Sequence, residues 1–150
     1  MAALLTMLVL WTGVPVSCST ATLPMPRAIA VYDMTNPAIT LSEPVCDRLE
    51  LLRNGARPQS LYTQRDFAEA VWVTAHEYAR AQGINRQPAS DCAGLTYFAA
   101  LARRLGLRPH YALVLYGYAE AAKFGECRAT GQVAYTALAA NVATAPATGG

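Results

Sequence analysis

A length of 150 residues suits one domain, and 53% hydrophobic against 15% charged residues supplies material for one core. The formal net charge is only +2, Arg103 and Arg104 form the one adjacent basic pair, and no aromatic residues interleave with a basic stripe. A nucleic-acid partner is therefore set aside, since it calls for a concentrated positive footprint with stacking rings.

The first stretch, MAALLTMLVLWTGVPVSC, is uncharged and apolar but broken by Gly13 and Pro15, which leaves it short of the ~20 residues that span a bilayer. It reads as the apolar region of a signal peptide over residues 1–19, cleaved near Ser19. The lack of Lys or Arg after Met1 counts against that, and a retained N-terminal anchor is the rival. Pro15 sits where a lipoprotein signal wants a branched aliphatic residue, so lipid attachment at Cys18 is not expected.

Pro24 and Pro26 keep the next residues extended, after which AIAVYD and AITLS are β-type runs around the turn-forming Thr35, Asn36 and Pro37. They predict a small hairpin. Ser42 then precedes a helix with Pro44 in its first turn and Val45, Leu49 and Leu52 on one face, ending at Gly55. Thr63 with Asp66 three residues on resembles a capping box, which predicts a central helix from Gln64 to Gln82, closed by Gly83. Its apolar stripe is Phe67, Val71, Ala75 and Tyr78. Pro88 marks the first turn of a helix running to Gly106; if that helix starts early enough, Gln87 and Asp91 share a face.

Pro109 opens a further helix, interrupted at Gly117 and ending by Gly125. VAYTALAANVA suits a strand or a packed helix, and residues 139–150 read as a disordered tail. The expected fold class is α+β, mostly helical, with the domain proper over residues 28–138. If Cys18 leaves with the leader, Cys46, Cys92 and Cys127 remain, an odd set that allows one disulfide and one free thiol with the pairing open. No CxxC or Cys/His spacing suggests a zinc knuckle.

Polar chemistry concentrates between Val71 and Gly94. His76 and Glu77 are adjacent in a run free of Gly and Pro, flanked by Trp72, Val73, Ala75, Tyr78 and Ala79. In His-Glu-x-x-His, two imidazoles one helical turn apart share a zinc ion and the Glu activates its bound water. Here the first His and the Glu are present, and Arg80 stands four residues after His76. The plain reading is a core or surface histidine beside a solvated acid.

The order HEYARAQG, then Gln87, then SDC, then ARRLG, with PAITLSEPVCDRL upstream, resembles the small exported zinc-metallopeptidase-like proteins of actinobacteria and their phages. The resemblance covers roughly residues 36–128. Their pattern is His-Glu-x-x-His-x-x-Gly, a Glu seven residues after the second His, and an acid just before a Cys. It implies that His76 matches the first metal ligand and Glu77 the catalytic general base. Gly83 matches the helix-ending glycine, and Asp91 the carboxylate that orients a ligand histidine. Arg80 and Gln87 occupy the other two ligand positions. A guanidinium has no lone pair and repels a dication, and a neutral amide is a poor third ligand.

The resemblance thus implies a secreted or extracytoplasmic metallopeptidase-like protein with a degenerate site. Hydrolysis is absent or weak, no cofactor is expected, and the role is binding or scaffolding toward a peptide or protein partner. A membrane enters only if the N-terminal segment is retained as an anchor. The alternative is a working zinc enzyme using His76, Asp91 and a ligand such as His110. Arg80 is expected to fill the metal's place by pairing with Glu77, Asp91 or both. His110 reads as structural, Cys92 as bonded or buried rather than nucleophilic, and Tyr111, Tyr116 and Tyr118 as packing residues. Ser90 and Thr74 have no triad partners.

Overall fold

The computed structural model describes residues 1–21, 23, 29–122 and 127. Five helices and a three-stranded sheet follow in the order α1 (Ala2–Thr12), β1 (Val16–Ser19), β2 (Ala30–Asp33), β3 (Ala38–Ser42), α2 (Glu43–Arg53), α3 (Leu61–Ala81), α4 (Ala89–Arg104) and α5 (Pro109–Ala122). The fold is mostly helical α+β, with the small sheet near the N-terminus, as the sequence predicts. No helix among the described residues is long and apolar enough to cross a membrane. The VAYTALAANVA run, the tail at 139–150 and parts of the 28–138 span lie outside the described residues.

The sheet runs β1-β3-β2. β2 and β3 form the predicted antiparallel hairpin, and the Asp33 carboxylate shapes its turn by accepting from the Thr35 and Asn36 N–H groups at 2.8 and 3.2 Å. β1 adds in parallel to the other edge of β3, from Val16 opposite Ile39 to Ser19 opposite Ser42. This strand and α1 both come from the stretch read as a leader. In the structure they belong to the folded body: Leu4 and Leu8 are fully buried, and Cys18 is bonded to Cys46.

α3 is the centre of the molecule and packs against α2, α4, α5, β2 and β3. Its predicted stripe holds: Phe67, Val71 and Ala75 are buried and Tyr78 is half-buried. Its start differs. Ser60, not Thr63, is the N-cap, its hydroxyl accepting from the Thr63 N–H at 3.4 Å, so the helix begins three residues before the predicted Gln64. At the far end Gly83 takes φ 93°, a left-handed turn that suits glycine, and Ile84 N–H reaches back to the Ala79 carbonyl at 3.1 Å.

α2 buries Val45, Leu49 and Leu52 as expected. α4 begins at Ala89, after a cis Gln87–Pro88 bond. α5 runs unbroken through Gly117, where an interruption was predicted; tertiary support from α3 and α4 outweighs the ~1 kcal/mol propensity cost of a helical glycine. Its rings pack: Tyr116 is fully buried edge-on to Phe98, Tyr111 donates to the Pro58 carbonyl at 2.8 Å, and Tyr118 donates to Gln64 Oε1 at 3.1 Å.

Candidate functional site

The site lies where α3 and α4 cross. Gly94 allows the approach, since a Cβ there would stand 3.0 Å from the Trp72 indole nitrogen and 3.2 Å from His76 Cα. That contact is tighter than side-chain carbons ordinarily make, so any larger residue must push the helices apart. Trp72, one turn before His76, closes the same junction. Its Nε1–H donates to the Asp91 main-chain carbonyl at 3.3 Å, and its ring sits 5.3 Å from the His76 ring. A second aromatic row links α1, α3 and α4. Trp11 of α1 stacks on Tyr78 at 4.2 Å, and Tyr78 meets Tyr97 of α4 edge-on at 4.7 Å.

At the crossing the helices bring together four predicted residues. His76 Nδ1 lies 3.0 Å from Asp91 Oδ1, and His76 Nε2 lies 3.6 Å from Glu77 Oε1. Arg80 places a guanidinium nitrogen 3.7 Å from the other Glu77 oxygen. His76, Glu77 and Asp91 are buried, while the Arg80 side chain keeps 29% of its surface exposed and forms the solvent side of the group. Burial pushes the Glu77 carboxyl above its usual range. The Arg80 guanidinium and the Tyr32 main-chain N–H pull it down by less.

Asp91 thus stands where a histidine-orienting carboxylate is expected, against Nδ1, which turns Nε2 toward Glu77. Arg80, one turn after His76, lies within ion-pair distance of Glu77 with 29% of its side chain exposed. Gln87 does not join them in the predicted way: it is exposed and precedes α4, so it does not share a helical face with Asp91. His110 is exposed in the first turn of α5. Ser90 and Thr74 are buried in helices, Thr74 donating its hydroxyl to the Ala70 carbonyl at 2.8 Å. Among the described residues, no group of three or more His, Cys, Asp or Glu side chains is placed to hold an ion together.

The cysteines form two bonds, Cys18–Cys46 and Cys92–Cys127, with no free thiol among the described residues. The second bond begins at the residue after Asp91 and so anchors the first turn of α4. Sequence reasoning missed Trp72, Gly94, Tyr32 and Trp11. The first two carry a usable signal: a tryptophan four residues before His76 shares its face, and a glycine inside a helix marks close approach. The Tyr32 contact is a main-chain N–H and leaves no mark in the sequence.

A cleft of about 580 Å³ between α3 and α5 is lined by Trp72, Tyr118, Arg65, Asp66 and Glu69 among others. Trp72 is therefore shared between this cleft and the His76 group. No protein-family model, curated protein or solved structure matches the chain.

Proposed function

We propose that the chain is a zinc-peptidase-like domain whose ligand positions have been rebuilt into a buried ionic cluster, and that it works by binding a peptide or protein rather than by hydrolysis. One observation carries this reading: Arg80, at the position of the second zinc ligand, turns its guanidinium toward Glu77. The donors do not fit a zinc ion. His76 offers one imidazole nitrogen, Arg80 offers fixed positive charge, and Gln87 is exposed outside the helix. Glu77 then lacks a metal-bound water to activate, and its carboxylate faces the Arg80 guanidinium at 3.7 Å and the Tyr32 N–H.

Two disulfides support an oxidising, extracytoplasmic setting. The open cleft beside Trp72 supports a binding role, since its volume falls in the range of about 300–1,000 Å³ typical of ligand sites. The test is restoration. Purified parent protein is expected to carry no stoichiometric zinc and to cleave no peptide. The variant Arg80→His, which sets a second imidazole one helical turn after His76, is expected to take up zinc that a chelator removes. A folded Arg80→His variant that binds no zinc overturns the kinship. Zinc bound stoichiometrically by the parent overturns the non-catalytic reading in favour of a working peptidase.

A further inference from the structure

The stretch that reads most like a removable leader is built into the folded body and reaches the helix that carries the site. Leu4 and Leu8 of α1 have no exposed surface, and Thr12 keeps 3%. Ile39 N–H of β3 donates to the Pro15 carbonyl at 2.8 Å, and the parallel pairing continues to Ser19 opposite Ser42. Cys18, in the middle of β1, is bonded to Cys46 in the first turns of α2, and Cys46 is fully buried. Trp11 stacks on Tyr78, which stands next to Glu77 and two residues before Arg80. The three rings Trp11, Tyr78 and Tyr97 thereby link α1 to α3 and α4.

Cleavage near Ser19 would strip the β1 partner from β3, remove the residues that fill the core at Leu4 and Leu8, and leave Cys46 without its partner. A short apolar leader that is discarded needs none of these contacts. We propose that residues 1–19 are a permanent layer of the domain, clasped to α2 by Cys18–Cys46, and that the clasp holds Trp11 against Tyr78 on the site helix. The inference does not depend on what the site binds. Opening the clasp is a two-electron step: a dithiol reductant breaks the Cys18–Cys46 bond, both cysteines take up a proton, and the reductant closes its own disulfide.

Non-reducing peptide mapping with intact mass, on the full chain purified from producing cells and their medium, tests the first half. A linked fragment joining Cys46 to a Cys18 peptide that still carries residues before position 18 supports the proposal. A mature N-terminus at or beyond Ser19 overturns it. The second half is tested by hydrogen exchange on the double variant Cys18→Ser with Cys46→Ser, which leaves Cys92–Cys127 intact. Protection of the α1 amides is expected to fall about tenfold or more while the α4 amides hold theirs. In the same variant carrying Trp72→Phe, Trp11 emission is expected to shift to the red as the ring leaves Tyr78. Unchanged α1 protection and unchanged emission overturn the role of the clasp, and the mapping result stands whether or not the variants fold.

Discussion

α1 and α3 both contribute side chains to one core, yet only α3 declares its surroundings in the sequence. α3 buries His76, Glu77 and Thr74, and buried polar groups demand partners, so each one constrains what lies next to it. α1 carries no charge along its length and makes no such demand. A helix that is apolar all round fits a core, a bilayer or a leader equally well. α3 is the more deeply buried of the two, and its residues also say more about what surrounds them.

The largest expected effect tests whether α1 is as much a part of the core as α3. Leu8 has no exposed surface, so Leu8→Ala is expected to cost about 2–5 kcal/mol, the range for a large core residue cut back to alanine. Denaturant unfolding of the full chain measures it. A loss below ~1 kcal/mol, the size of a surface effect, would mark α1 as an appendage and separate the two helices after all.

Gly94→Ala is expected to cost about 1–3 kcal/mol, because the added methyl group meets the Trp72 ring edge and the α3 backbone. It should also push Asp91 away from His76, visible as a change in the His76 ring chemical shifts. A variant with parent stability and unchanged shifts would show that the crossing has slack.

Arg80→Ala is the smallest effect and the one that depends on pH. The expected loss is about 1 kcal/mol at neutral pH, kept modest because the Arg80 side chain is 29% exposed. Burial holds the folded Glu77 carboxyl above its ordinary value of 4.5. Its contribution to stability is therefore full below that value and declines as pH rises through the higher folded value. Removing Arg80 takes away an opposing charge, raises the folded value further and makes that decline longer. Below the ordinary value Glu77 is protonated in both states, so the Arg80→Ala penalty should vanish there. Glu77→Gln should remove the decline and make Arg80→Ala harmless at every pH. A penalty that does not change with pH would mean that Arg80 acts only by packing its stem.

The sequence made the helical framework legible through its periodicity and its punctuation. Val45, Leu49 and Leu52 on α2, the Phe67, Val71 and Ala75 stripe on α3, and the Gly83 turn all stand where spacing put them. The start of α3 was misplaced because Thr63 and Asp66 imitate a capping box while Ser60, closer to the Pro58 bend, provides the hydroxyl. In the site, the local pair His76 and Glu77 and the one-turn spacing to Arg80 were readable because a helix fixes which side chains share a face. A shared face for Gln87 and Asp91 depended on an early helix start, and α4 begins only at Ala89, after the Gln87–Pro88 pair. Trp11 and the Tyr32 N–H approach from elements that precede α3 by dozens of residues, and no local pattern encodes such contacts.

β1 has one partner in the sheet, and that partner is β3. The first strand to be synthesised therefore has nothing to pair with until residues 38–42 have been made, a wait of about a few seconds at ~5–20 residues per second. Throughout that interval an uncharged, strongly apolar stretch is left without its sheet partner, which gives it a particular need of a chaperone.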